Sequence, residues 1–320
     1  MKLTGIHHVS SLTAHIDRNH RFYTGVLGMR LVKKTVNQDS PTMYHLFYAD
    51  AAGSPGTDLT FFDLPHAARQ HRGNNEISRT SLRVASESSL PWWAERLQAA
   101  GAAVQPVREE YGRPVLNFED PEGQRLALVP DGGRGPGEVW AGSPVPAEHQ
   151  IRGLGPVHLT VPDPAPTRDA LIRVLQLQEA GSYPDPDSPE HEVRVFQAGE
   201  GGADAELHVH IRPDLPRARQ GAGAVHHVAL RIPDEAQYHA WTARLDALGL
   251  QTSGEVDRHW FRSLYWRGPD GILYELATDG PGFATDEDAA HLGERLVLAP
   301  FLEPQRARIE AALTPLEVTT

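Results

Sequence analysis

From Val225 to Ile232 apolar and polar positions alternate. Val228, Leu230 and Ile232 share one face, and His227, Ala229 and Arg231 take the other, the signature of a half-buried strand. A helix-like segment follows and ends in Ala247-Leu248-Gly249, with glycine where a helix C-cap favours a positive φ. The same order opens the chain: GIHHVSSLTA from Gly5, a polar break, then a helix-like segment ending in Val26-Leu27-Gly28. Two weaker copies lie between. ISRTSLRV at Ile77–Val84 matches VHHVALRI at its Leu-Arg-apolar end and precedes PWWAERLQAAGA from Pro91. GLGPVHLTVPD from Gly153 matches AVHHVALRIPD through its terminal Pro-Asp, with a helix expected over Pro164–Leu177. The later parts of the copies also align: DPEGQRLALVP (Asp120–Pro130) with GPDGILYELAT (Gly268–Thr278), each a glycine turn followed by a strand.

A repeat of this length has to be stacked, because one unit cannot bury its sheet face alone. The units fall near 4–65, 76–131, 152–213 and 222–279. The expected fold is α+β: four βαβββ modules paired into curved mixed sheets, helices outside and a concave cavity inside. The division reads as an N-terminal half over 1–131, a linker rich in Gly and Pro over 132–151, a C-terminal half over 152–282, and a tail over 283–320 that turns helical around Glu303–Leu313.

The alternation also points to chemistry. In the last strand of the fourth unit Ile272, Tyr274 and Leu276 form the apolar face, and Glu275 points the opposite way. His227 and Glu275 are expected in one concavity, and His8 holds the repeat position of His227. Pairing the first unit with the fourth would add it as a third ligand. Two imidazoles and one carboxylate form a facial triad that leaves metal positions open. A rival pair, His208 and His210, lies two apart on one strand face, but no carboxylate sits at the matching place. Unit two offers Arg79 and Ala127 at the ligand positions, which argues against a second metal. His208 and His210 read as structural or surface residues, as does His158, which faces a cavity two residues off the ligand position.

Composition narrows the chemistry. The chain has 320 residues, 40% of them hydrophobic, and a formal net charge of -12, so neither nucleic acid nor an anionic membrane surface is an expected partner. There is no cysteine, which leaves histidine and carboxylate for any metal. No segment approaches the length of an apolar span, and MKLTGIHHVS does not read as a signal peptide, so a cytoplasmic protein is expected.

Five stretches carry a family resemblance: GIHHVSSLTA; LGMRLVKKTVNQDSPTMYHLFYADAAGSPGTDLTFFDLP; AVHHVALRIPD; DRHWFRSLYWRGPDGILYELATDGPGF; and LAPFLEPQRARIEAALTPL. They resemble the vicinal oxygen chelate superfamily, which includes glyoxalase I, fosfomycin-resistance proteins and extradiol dioxygenases, and most of all its hydroquinone-type ring-cleaving dioxygenases. About residues 66–220 are matched mainly by the repeat pattern. The resemblance implies Fe(II), with Mn(II) as the other candidate, held by His8, His227 and Glu275. It also implies Ser10, His226, Arg258 and Tyr265 around the metal, with His7 behind His8. Alternation places His226 on the helix-side face, against that role, and the loop register leaves Arg258 and Arg262 as alternatives. The implied reaction joins O₂ to a small aromatic diol, with Tyr265 or His226 as acid or base and Arg258 holding a phenolate. Homo-oligomerisation is left open. One alternative is a glyoxalase-type isomerase or lyase, which would need a fourth ligand. Alignment puts Thr60 opposite Glu275, with Asp58 two residues away and Asp63 three. Another is a non-enzymatic binding or resistance protein on the same fold.

Overall fold

The computed structural model describes residues 1–316. The first repeat unit forms strands β1 (Ile6–Thr13), β2 (Arg30–Asn37), β3 (Ser40–Ala49) and β4 (Asp58–Asp63), with helix α1 (Ile16–His20) after β1. The second forms β5 (Glu76–Val84), α2 (Ser89–Ala99), β6 (Ala103–Val104), β7 (Arg108–Glu110), β8 (Arg113–Glu119) and β9 (Arg125–Pro130). The third contains β10 (Ile151–Val161), α3 (Pro164–Asp169), β11 (Gln178–Asp185), β12 (Ser188–Gln197) and β13 (Glu206–Ile211). The fourth contains β14 (Val225–Ile232), α4 (Glu235–Ala247), β15 (Val256–Asp257), β16 (Phe261–Arg267) and β17 (Leu273–Pro281).

Two mixed sheets result. The eight-stranded sheet runs β15-β16-β17-β14-β1-β4-β3-β2, so the first unit joins the fourth through antiparallel β1 and β14. The nine-stranded sheet runs β11-β12-β13-β10-β5-β9-β8-β6, with β7 as its ninth strand paired to β8, and joins the third unit to the second through β10 and β5. The expected curved mixed sheets are present, and first and last units share one of them despite lying at opposite ends of the chain.

The helices follow from local chemistry. Asp234 caps α4 by accepting from the Gln237 N–H, and Asp163 caps α3 by accepting from the Ala165 N–H. α1 and α3 each widen into a π turn, over Arg21–Val26 and Ala170–Val174, so the third helix is a short α segment plus a π turn rather than one regular helix. At the end of the first helical segment Gly28 adopts φ +70, and a Cβ there would lie 2.5 Å from Val145 Cγ2. Trp93 on α2 and Trp241 on α4 are fully buried, as are Val228, Leu230, Tyr274 and Leu276 on the apolar strand faces. Losing one such indole typically costs about 3–5 kcal/mol.

The tail caps the eight-stranded sheet. Lys33, fully buried on β2, donates to the Phe283 carbonyl and to Asp286 and Glu287, and its Nζ lies 5.1 Å from the Trp260 ring centroid. Paired in this way, the buried ammonium escapes the cost of an isolated charge and ties the tail to the wall of the cavity described next. The tail's helix, α5 (Arg306–Ala312), lies inside the span expected from sequence. Among the described residues no helix is long and apolar enough to cross a membrane.

Candidate metal centre

The candidate ligands meet at the seam of the two paired units. His8 projects from β1, His227 from β14 and Glu275 from β17, all three buried. Glu275 Oε2 is 3.1 Å from His8 Nε2 and 2.9 Å from His227 Nε2, and the two imidazole nitrogens are 3.2 Å apart. Yet Oε2 has no hydrogen-bond partner. A buried carboxylate oxygen left orphaned beside two imidazole nitrogens is costly, and a cation at their meeting point would satisfy all three. Among the described residues this is the one group of three or more such side chains close enough to share an ion. The other carboxylate oxygen, Oε1, accepts from Ser263 Oγ at 2.5 Å, which fixes the carboxylate's orientation. Burial favours the neutral form of Glu275, but the adjacent His8 and His227 hold its carboxyl well below the usual carboxylate range.

A β-bulge lies behind each histidine. In the β1–β14 ladder Ile6 pairs with Leu230 and His8 with Ala229, so His7 is an extra residue. Ser10 pairs with His227 and Ser11 with Val225, so His226 is an extra residue on the other strand. A bulge breaks strict alternation and re-aims a side chain. This corrects the alternation argument for His226: its ring lines the cavity rather than the helix side. His7 Nδ1 lies 2.9 Å from His8 Nδ1, and His226 Nδ1 lies 2.8 Å from His227 Nδ1. If Nε2 of His8 keeps its lone pair for a metal, Nδ1 donates to His7, whose Nε2–H then donates to the Thr278 carbonyl at 3.0 Å. The tautomers are mutually consistent along that chain. Burial, then the neighbouring imidazole, brings the pKa of His7 and of His226 down to about 3, so both stay neutral near pH 7.

A cavity of about 500 Å³ opens onto His8 and His227. Phe47, Phe62, Trp260 and Phe261 wall it, and His227 meets Tyr265 edge-on at 5.7 Å between ring centroids. The Arg258 guanidinium sits 5.4 Å from the Tyr265 centroid and donates to Asp39 Oδ2 at 2.8 Å. Burial pushes the Tyr265 phenol above its ordinary range, so it is present as O–H. Arg262 points away, to Glu235 at 3.0 Å, so Arg258 is the arginine at the cavity. Ser10 does not line the cavity. It is fully buried, and its hydroxyl lies 2.7 Å from Thr60 Oγ1.

Residues 5–128 and 153–276 match the sequence pattern of the Glyoxalase/Bleomycin resistance protein/Dioxygenase superfamily. The chain belongs to that superfamily. It is 47% identical over 318 residues, 99% of this chain and 100% of the other, to the Bacillus subtilis (strain 168) protein named "Putative ring-cleaving dioxygenase MhqA". It is 30% identical over 308 residues, 94% of this chain and 93% of the other, to the chlorohydroquinone/hydroquinone 1,2-dioxygenase of Sphingobium indicum. A crystal structure of a "putative dioxygenase" from Bacillus subtilis superposes with a TM-score of 0.89 at 34% identity over 99% of both chains. Glyoxalase I of Zea mays shares the fold at a TM-score of 0.63 and 16% identity, covering 86% of this chain and 92% of that one.

Within this superfamily fold, the second sheet holds a contrasting cavity of about 410 Å³. Arg79 pairs with His158 on β10 as His227 pairs with Ser10 on β1, and Ala127 sits where Glu275 sits. The Arg79 guanidinium is bound by Glu110, by Asn117 Oδ1 at 2.6 Å and by His158 Nε2 at 2.9 Å. A fixed cation thus stands at a ligand position. His158 passes on to His210 at 2.9 Å, which meets Asp185 Oδ2 at 3.0 Å. His208 meets Glu206 Oε2 at 3.0 Å and the Tyr183 hydroxyl at 2.9 Å. Each of the two histidines has a carboxylate partner, Glu206 and Asp185 on β11, though neither carboxylate stands at the position Glu275 holds in the fourth unit.

Sequence reasoning missed His45. Met43, His45 and Phe47 alternate along β3 and all three line the first cavity, so the signal was a strand face. Asp58 is buried with Oδ1 unpartnered, but it lies outside the three-ligand cluster.

Proposed function

We propose that the chain is an Fe(II)-dependent ring-cleaving dioxygenase acting on hydroquinone-like aromatic diols, its metal held by His8, His227 and Glu275. One observation carries this reading: two buried imidazole nitrogens and an orphaned carboxylate oxygen converge, and the two histidines line an aromatic-walled cavity. Two imidazoles, one carboxylate and open positions are the donor set of non-haem Fe(II) oxygenases, and Mn(II) accepts the same donors. When bound, such an ion supplies Lewis acidity and a common site for an ionised hydroxyl and O₂.

The chain's own residues supply the rest. Phe47, Phe62 and Phe261 pack against a planar ring and exclude water. Tyr265, held as O–H, donates a hydrogen bond to oxygen bearing negative charge. Arg258, fixed by Asp39, adds positive charge beside it. His226 accepts at Nδ1 from the His227 Nδ1–H, so its own proton sits on Nε2, which donates a hydrogen bond to a substrate oxygen. The hydroquinone activity named for the Sphingobium indicum relative favours para-diols. The test is anaerobic Fe(II) loading followed by oxygen uptake with hydroquinone under ¹⁸O₂. The expected result is stoichiometric uptake and two labelled atoms in the ring-opened product. Turnover of methylglyoxal with glutathione, with no oxygen uptake, would replace this reading with an isomerase.

A further inference from the structure

An ortho-diol can bring both oxygens to one ion, but the hydroxyls of a para-diol lie at opposite ends of the ring. A para-diol on this centre therefore leaves one hydroxyl for the protein to recognise. Most polar groups around the cavity are already committed. Arg258 is held by Asp39, the Gln38 amide N–H donates to the Arg258 carbonyl at 2.9 Å while its unpartnered Oε1 is buried away from the cavity surface, and the Gln220 amide donates to the Val225 carbonyl at 3.3 Å. His226 leans on His227 from the adjacent position of the same strand.

His45 is different. In the order β17-β14-β1-β4-β3, Glu275 lies on one flank of the two histidine strands and His45 on the other. Its ring is clamped between Phe47 and Phe62, at centroid distances of 4.0 and 4.1 Å. Nε2 lies 2.9 Å from Thr60 Oγ1, which in turn meets Ser10 Oγ at 2.7 Å. Nδ1 makes no hydrogen bond among the described residues and is not a buried orphan, and the residue lines the cavity. In register, His45 corresponds to Ser263, the residue that braces Glu275. Because Thr60 stands where a carboxylate ligand would, His45 has no metal ligand to brace.

We propose that His45 is the specificity-determining residue for the substrate hydroxyl that stays off the metal, hydrogen-bonding it through Nδ1 while Phe47, Phe62 and Thr60 fix the ring. The proposal rests on the dioxygenase reading and assigns that site's preference for para-diols.

The experiment is anaerobic equilibrium titration of the Fe(II)-loaded full chain with hydroquinone and with phenol, which lacks the second hydroxyl. The wild type should bind hydroquinone about tenfold more tightly, the effect of one good hydrogen bond. His45→Phe keeps the aromatic stack and should lose that preference, with phenol affinity and iron content unchanged. His45→Gln should recover part of it. If His45→Phe keeps the hydroquinone preference, weakens both ligands equally or loses iron, the assignment is overturned while the dioxygenase reading stands. If the wild type takes up iron but neither binds nor turns over any aromatic diol, that reading fails and takes the assignment with it.

Discussion

Thr60 occupies in the first repeat unit the register position that Glu275 occupies in the fourth. Ser10 pairs with Thr60 across β1 and β4, as Ala229 pairs with Glu275 across β14 and β17. One unit therefore presents a carboxylate to the seam, and the other presents a hydroxyl already engaged by Ser10 and His45.

That asymmetry predicts the effect of Thr60→Glu. A second carboxylate at the seam would occupy a position otherwise open to reactants. Metal should be retained at least as well as in the wild type, while oxygen uptake with hydroquinone falls to background. Metal analysis and an oxygen electrode check both, and uptake at the wild-type rate would mean Thr60 does not face the open side.

Removing a ligand should empty the site. His8→Ala, His227→Ala and Glu275→Ala should each lose the single bound metal equivalent on gel filtration, whereas His208→Ala, in the other sheet, should keep it. Metal loss in His208→Ala would move the centre to the third unit.

His7 acts on the centre through His8. Replacing it with Phe leaves the His8 Nδ1–H unpartnered and frees the ring to rotate. Loss of such a partner typically costs about 10–100-fold in metal affinity or activity. His7→Phe should weaken metal binding in that range in a chelator competition while its urea midpoint in the metal-free state stays near that of the wild type. Unchanged affinity would show that the His7–His8 contact does not orient the ligand.

A pH effect should come from Asp120, away from the metal. It accepts from the Glu122 and Gln124 N–H groups at 2.8 Å and from the Tyr23 hydroxyl at 3.2 Å. Burial is the largest influence and pushes its carboxyl up to about 6. Between roughly pH 4 and 6 the unfolded chain has released this proton and the folded chain still holds it. Stability from this group therefore falls as pH rises through that window and levels off above it, by about 2–3 kcal/mol. Urea unfolding across pH 4–7 should show this slope in the wild type minus Asp120→Asn. An absent or rising difference would mean that Asp120 is ionised in the folded state throughout.

Periodicity along the chain was enough to reveal the repeat, the strand faces and three of the side chains that converge. His8 and His227 could be matched by repeat position, and Glu275 by alternation against Tyr274 and Leu276, because periodicity is a one-dimensional property of the chain. Tertiary structure decided what periodicity cannot carry. The bulges at His7 and His226 each insert one residue into a ladder, and alternation fails at that residue, which is why His226 was assigned to the wrong face. Arg258 was separated from Arg262 by a loop's path, which no period constrains. Ser10 and His45 reach Thr60 from the strands on either side of it through the packing of β1, β4 and β3 side by side. Which side chain meets which across strands depends on register, and register is set when sheets pair over long range, after the local pattern has already been spent.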